Sequence, residues 1–296
     1  MFKRKIKIAF IIPLLVIASI STFLYLNRPV RYAVFAGYNA DNTIHPYIIT
    51  YLKGLNEVTD GVVYIADSEL KQEEYKKLKG LVIHTEHKPH SEYDWGSYKR
   101  GFNWLKENGY LKKADEIIFA NDSCYAPMKS FKPMFKEMSK RQDLDFWGDL
   151  QNTKFTNHLQ SYFLVFRSRV FLNPKFNSFI NSITHQMDSS LYITEYEVKL
   201  TPELQKIGFK WDSYMPYQKL QDLALPDKNS YPYTMISKYN HQFLKRRTFT
   251  EKLAIMESTD ELLSYIYNNY PEQYEEIAQE IAPHFIPENL RGKSHE

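Results

Sequence analysis

Between residues 31 and 121 the chain repeats one pattern: a short β-branched or aromatic run, closed by a turn-forming or polar residue, then a segment with helical spacing. The runs are "RYAVFAGYN" (31–39), "GVVYIAD" (61–67), "LVIHTEH" (81–87) and "ADEIIFAN" (114–121). The segments between them place Ile48, Ile49, Leu52 and Leu55, then Tyr98, Phe102 and Leu105, on single helical faces. Strands that alternate with helices predict an α/β fold with a mainly parallel sheet flanked by helices. Such sheets take ligands at the carboxyl ends of their strands. Gly37, Asp67, His84 and the triplet Asn121-Asp122-Ser123 all fall at predicted strand ends and so belong to one edge.

The last of these runs is unusual. Ile117, Ile118, Phe119 and Ala120 lead into three short oxygen-bearing side chains with no glycine to ease a turn. Such residues either bond their own backbone in a turn or are presented to a ligand. Asp122 is a hard oxygen ligand of the kind that holds manganese or magnesium across the phosphates of a nucleotide, so a divalent cation is the cofactor it implies.

Further along, "FKPMFKEMSK" is predicted helical and "LDFWGDL" a short strand or bend. "HLQSYFLVFRSRVF" reads as a long aromatic strand leading into a helix, with His158, Gln160 and Ser161 as an odd polar group at its start. In "TEYEVKLTPEL", Glu195 and Glu197 precede a helix predicted to be capped by Thr201 with Pro202 at its first position. One of these acids is a candidate general base for an acceptor hydroxyl. "EYDWGSYKRGFNWL" starts a helix with Asp94 as its predicted cap, and with Gly96, Lys99 and Arg100 near the same sheet edge. Trp95 and Trp147 are candidates to stack on a sugar or base. His84, His87 and His90 recur every third residue, but Pro89 breaks any helix there and a strand does not align that spacing, which argues against a metal site.

Forty-three per cent hydrophobic residues over 296 positions suffice for a packed core, and the lone Cys124 excludes an intramolecular disulfide. The formal charge of +3 is local: residues 1–31 carry Lys3, Arg4, Lys5, Lys7, Arg28 and Arg31 and no acid, leaving 32 basic against 35 acidic residues. That balance excludes a nucleic-acid-binding body. Residues 8–26, "IAFIIPLLVIASISTFLYL", form an uncharged apolar run behind the basic start. As a helix it reaches about 28 Å, close to the ~30 Å hydrocarbon layer, so an uncleaved single-pass anchor with the lipid bilayer as partner is expected. The basic residues ahead of it place the amino terminus in the cytoplasm, in type II orientation. The expected organisation is therefore a basic start and anchor over 1–30, one α/β domain over 31–247 and a helical tail over 248–296.

The ordered set "YDWGSYKRGFNWL", "ADEIIFANDSCYAP", "DFWG", "HLQSYFLVFRSRVF", "YEVKLT", "GF" and a late "YPY" resembles the rhamnan synthesis protein F family of polysaccharide-building glycosyltransferases over roughly residues 32–245. The resemblance implies a GT-A type fold and a nucleotide-sugar donor, commonly dTDP-rhamnose. It also implies a glycan or lipid-linked glycan acceptor at the cell surface. In that family the "NDS" triplet looks like the counterpart of the Asp-x-Asp metal and nucleotide motif. Carried over, Asp122 is the metal or diphosphate ligand. Gly37, Asp94, Gly96, Asn121, Ser123, His158 and Gln160 belong to the donor pocket, and Glu197 is the base. The departure is Asn121, which stands where the motif has its first carboxylate. It favours the rival reading of a tethered glycan-binding or scaffold protein that keeps the fold without the catalysis.

Overall fold

The structure, a computed structural model, describes residues 28–250 and 256–281. The expected anchor at 8–26 lies outside them. Among the described residues no helix is long and apolar enough to cross a membrane.

The first half follows the sequence pattern, except that the third strand begins at His84 and not at Leu81, so His84 lies at its amino end, away from the expected ligand edge. β1 (Arg31–Gly37), β2 (Gly61–Ala66), β3 (His84–His87) and β4 (Glu116–Asn121) pair in parallel in the order β3-β2-β1-β4. β1, β2 and β4 are buried along their whole length, which is why they read as continuous apolar runs and not as alternating ones. Crossovers run through α1 (Pro46–Asn56), the short α2 (Gln72–Lys76) and α3 (Tyr93–Glu107). Tyr98 of α3 stacks on Phe119 of β4 with ring centroids 4.7 Å apart, one of many aromatic pairs that join the helical layer to the sheet.

The second half departs from a wholly parallel sheet. "DFWG" opens β6 (Phe146–Asn152), and the expected long aromatic strand divides into β7 (His158–Leu159), a loop at Gln160–Tyr162, and β8 (Phe163–Arg167). β8 runs antiparallel between β4 and β6, while β6 is paired in parallel by β9 (Trp211–Met215). The break falls after Gln160, whose N–H still bonds the Leu150 carbonyl of β6, because the Ser161 N–H turns away to Glu197. A separate ribbon, β5 (Cys124–Tyr125) against β10 (Leu244–Lys245), carries the chain from the β4 turn to a segment far along the sequence.

The two edges of the sheet differ. At the amino ends of β1 and β4, buried Arg31 pairs with Glu116 at 2.6 Å, and Arg167 reaches the same carboxylate. That edge is closed by its own ions. At the carboxyl ends the polar groups face a cleft. The helices α4 (Thr259–Asn269) and α5 (Pro271–Glu280) send Ile266, Tyr274 and Ile277 into the main core, and Glu276 of α5 accepts a hydrogen bond from Thr50 of α1. Glu280 thereby arrives at the cleft, where it pairs with Arg246.

Candidate active site

The turn after β4 needs no glycine because its side chains complete it. Asp122 N–H still donates to the Ala36 carbonyl of β1 at 3.2 Å, extending the ladder by one residue. The Asn121 side-chain oxygen then accepts from the backbone N–H of Ser123 at 3.1 Å and from its hydroxyl at 2.6 Å, closing an Asx turn. Asp122 Oδ2 accepts from Tyr38 N–H at 2.7 Å and ties the turn to the end of β1.

Asn121 has a second task that accounts for its identity. Its amide donates to Asp94 Oδ2 at 2.6 Å. An aspartate at 121 has no proton to give at neutral pH and would set a second charge against Asp94. Burial, with the negative Asp122 nearby, already pushes the Asp94 carboxyl up to about 7. Burial likewise raises Asp122 to about 6, against the opposing pull of Arg246 and the Tyr38 N–H. Asp94 does not cap its helix: α3 begins after Glu92, and Asp94 lies in the first turn, turned toward Asn121.

Glu197 is presented from the opposite wall. The chain is helical from Ser190, passes through a π-turn at Ile193–Glu197 and continues as an α-helix over Val198–Lys206. Thr201 and Pro202 therefore lie inside the helix, and the Thr201 hydroxyl accepts from Leu159 N–H at 3.1 Å instead of capping. The wide π-turn, a local irregularity common at functional sites, ends on Glu197. Glu197 Oε2 accepts from the Ser161 N–H at 2.8 Å and from the Ser161 hydroxyl, and Oε1 lies 3.7 Å from His158 Nε2. Burial alone would raise this carboxyl, but the His158 and Ser161 hydrogen bonds outweigh it and hold Glu197 below the ordinary glutamate range. The Thr156 carbonyl, 2.8 Å from His158 Nδ1, keeps a proton on that nitrogen. Burial disfavours the imidazolium, but the facing Glu197 carboxylate wins and raises His158.

A cleft of about 670 Å³ lies between these walls, lined among others by Asp94, Ser123, His158, Gln160, Glu197 and Lys245. A second lobe of about 660 Å³ covers the ends of β1 and β2, with Tyr38, Asn39, Asp67, Ser68 and Asp122 in its lining. The two share Asp94, Ser123 and Arg246, so they meet over the β4 turn. Both volumes fall in the range that holds small organic ligands. Exposed Tyr38 and Tyr93 rim one lobe, and exposed Phe155 rims the other, offering flat apolar faces beside polar groups.

The expected site residues separate into two groups. Asp94, Asn121, Asp122, Ser123, His158, Gln160 and Glu197 line the two lobes. Gly37 and Gly96 do not. A Cβ on Gly37 would lie 2.3 Å from the Tyr64 hydroxyl, and one on Gly96 2.2 Å from Glu92 Cβ, so close packing demands both glycines. Trp95 and Trp147 are buried in the core, not open for stacking. His84 stacks on Trp104 at 4.2 Å, and His90 bonds to Ser97.

Sequence reasoning missed Lys245, Arg246 and Arg247. β10 brings them beside the β4 turn: Arg246 N–H donates to the Ser123 carbonyl at 3.0 Å, and Lys245 Nζ donates to the Ser123 hydroxyl at 3.0 Å while sitting 3.9 Å over the Tyr162 ring. Arg247 pairs with Asp227 at 2.9 Å, and Asp227 also accepts from Gln160.

A divalent cation finds no cage here. Among the described residues no group of three or more His, Cys, Asp or Glu could hold a metal ion. Asp94 is engaged with Asn121, and Glu197 with Ser161. Asp122 is engaged with Tyr38 and faces the Arg246 cation, which a metal would have to displace or tolerate.

Residues 62–288 match the family described as Rhamnan synthesis protein F. An uncharacterized protein y4gN of Sinorhizobium fredii is 25% identical over 153 residues, covering 50% of this chain and 39% of that protein. The match thus spans less than half the length of that relative. Among solved structures, a cytidylyltransferase from Leptospira borgpetersenii superposes at TM-score 0.42 and 12% identity, covering 84% of this chain and 97% of that one. Core-mannan synthase A from Aspergillus fumigatus, in its Mn/GDP form, gives 0.34 and 10% over 52% and 64%. A glycosyltransferase involved in glycosylating the major capsid of PBCV-1 gives 0.36 and 9% over 62% and 80%.

Proposed function

The chain belongs to the rhamnan synthesis protein F family, and from that premise we propose that it is a GT-A type glycosyltransferase moving a sugar from a nucleotide diphosphate to a hydroxyl of a growing glycan. The observation that carries the reading is the two-lobed cleft, with an ionised, donor-held glutamate on one wall and the polar strand ends on the other.

In this reading the nucleoside lies in the lobe over β1 and β2, where Asp67 and Asn39 offer polar groups and Tyr38 a stacking face. The diphosphate reaches the junction at Ser123, and the sugar enters the lobe of His158, Gln160 and Glu197. Glu197 accepts the proton of the acceptor hydroxyl. That oxygen bonds the anomeric carbon as the bond to the diphosphate oxygen breaks, and the nucleoside diphosphate leaves with the electron pair. Ser161 fixes the carboxylate, and His158 stabilises its charge until the proton arrives. A rhamnose-type sugar, a cell-surface or lipid-linked glycan acceptor and a tether through residues 8–26 with the body beyond the bilayer complete the proposal. Its support is the family and the apolar run in the sequence. The scaffold reading loses its main support, because Asn121 is explained by its bond to Asp94.

The test is a thermal-shift and calorimetric screen of the full chain against dTDP-, UDP- and GDP-sugars. A ligand that binds only the folded state raises its apparent stability. Stabilisation by one nucleotide sugar, followed by its turnover in the presence of a glycan acceptor, is expected. A folded protein that answers to none of them would refute the donor.

A further inference from the structure

We infer that the donor's diphosphate is held directly by the basic segment Lys245–Arg246, with no bridging divalent cation. The inference rests on the donor reading above and goes beyond it by naming what neutralises the leaving group.

A nucleotide diphosphate brings roughly two negative charges to the junction of the lobes, and they need partners in a partly dehydrated cleft. The strand-end wall supplies only Asp94 and Asp122, both acidic, and Asn121 already directs its amide to Asp94. The positive charge comes from the far strand. β10 pairs antiparallel with β5 and sets Lys245 opposite Cys124, one residue past Ser123. Lys245 Nζ holds the Ser123 hydroxyl at 3.0 Å and the Tyr162 ring face at 3.9 Å, and among the described residues it forms no ion pair. Its charge is held in place by a hydroxyl and a ring, and the acids on which it acts, Asp94 and Glu197, stand beyond ion-pair distance. Arg247, next but one along the chain, is already matched by Asp227.

Arg246 lines both lobes and lies 4.8 Å over the Tyr47 ring, paired with Glu280 and donating to the Asp122 carbonyl at 3.3 Å. A guanidinium presents several N–H groups in a fork, so it can keep one carboxylate and still turn N–H groups to phosphate oxygens. Lys245 brings the charge that no carboxylate pairs, and Arg246, already balanced by Glu280, adds directed N–H donors. A cation placed among them would meet two like charges and, among the described residues, no group of three acids or other ligands to hold it.

Lys245 is also seated on a fixed floor. The ring that it covers belongs to Tyr162, whose hydroxyl donates to buried Asp149 at 2.5 Å, and Asp149 is bonded in turn to His241 at 2.5 Å. The surface under the ammonium is therefore set before any ligand arrives, as a preorganised anion site requires.

The test is calorimetric titration of the full chain with UDP, GDP and dTDP at constant ionic strength, once in EDTA and once with manganese. The tightest of the three is expected to bind with Kd values within about threefold in the two buffers, and Lys245→Ala is expected to weaken it about tenfold in both, the loss of one charge-assisted contact. Arg246→Lys keeps the charge but loses the fork, and should weaken binding less than Arg246→Ala. Because Arg246→Ala also strands Glu280, its thermal unfolding is measured alongside; if that variant is unfolded, the comparison of wild type with Lys245→Ala decides. Binding that disappears in EDTA and returns with manganese would overturn the inference while leaving the donor reading in place. Equal binding by wild type and Lys245→Ala would overturn it as well. Failure of folded wild type to bind any of the three in either buffer would remove the donor reading and the inference together.

Discussion

Asp94 and Glu197 face one cleft from opposite walls, and similar burial leaves them in opposite states. Asp94 meets one amide donor and a neighbouring acid, and its carboxyl is pushed up to about 7. Glu197 meets the Ser161 N–H, the Ser161 hydroxyl and His158, and its carboxyl is held below the usual glutamate range. Burial raises both, so the donors decide the outcome. The strand-end wall is built to limit negative charge, which suits the approach of a diphosphate. The helix wall is built to keep one negative charge, which suits a base.

The largest effect that would break this comparison comes from Glu197→Gln. Glutamine still accepts from Ser161 but has no charge to take a proton. We expect kcat to fall by about 10²–10⁴ with the Kd for donor within about threefold, measured by steady-state transfer and by calorimetry. A fall of less than tenfold would take Glu197 out of the base's role. His158→Gln sharpens the same point with a smaller change. Without the imidazole the Glu197 carboxyl rises, so the acidic limb of kcat/KM should move to higher pH while the plateau falls less than about tenfold. A pH profile that overlays the wild type would show that the Ser161 bonds alone hold the charge.

β1, β2 and β4 were legible because each is a β-branched or aromatic run between turn residues, and the parallel α/β arrangement fixed their carboxyl ends on one edge; β3 is only His84–His87, after the apolar Leu81–Ile83 that announced it. Asn121, Asp122 and Ser123 were visible for the same reason. What stayed hidden depends on pairings far apart in the chain. Asn121 reads as a weakened Asp-x-Asp motif until the bond to Asp94, supplied by a helix 27 residues earlier, gives the amide its purpose. Lys245 and Arg246 drew no notice in the sequence, because the two-residue β10 has no period to announce it and its partner lies about 120 residues upstream. Gly37 and Gly96 resembled ligand-approach glycines, yet what requires them is a tyrosine hydroxyl and a glutamate side chain. The single run at 158–171 concealed a turn, since aromatic residues continue across it while the Ser161 N–H leaves the sheet for Glu197.

The smallest expected effect tests the strand-end wall by itself. Asp94→Asn keeps an oxygen for the Asn121 amide and removes the titration. The folded carboxyl, at about 7, lies above its ordinary 3.8, so the folded state holds the proton more tightly than the unfolded chain. Its contribution to stability is complete below 3.8 and is lost as pH rises through about 7. In a sealed core that difference would be worth roughly 4 kcal/mol; the face that Asp94 turns to the cleft lets water cut it to about 2 kcal/mol. The variant should therefore melt with the wild type near about pH 4 and roughly 4–8 °C above it near about pH 8. A constant offset between the two melting curves across that range would mean that Asp94 titrates alike in the folded and unfolded chain, and the contrast with Glu197 would collapse.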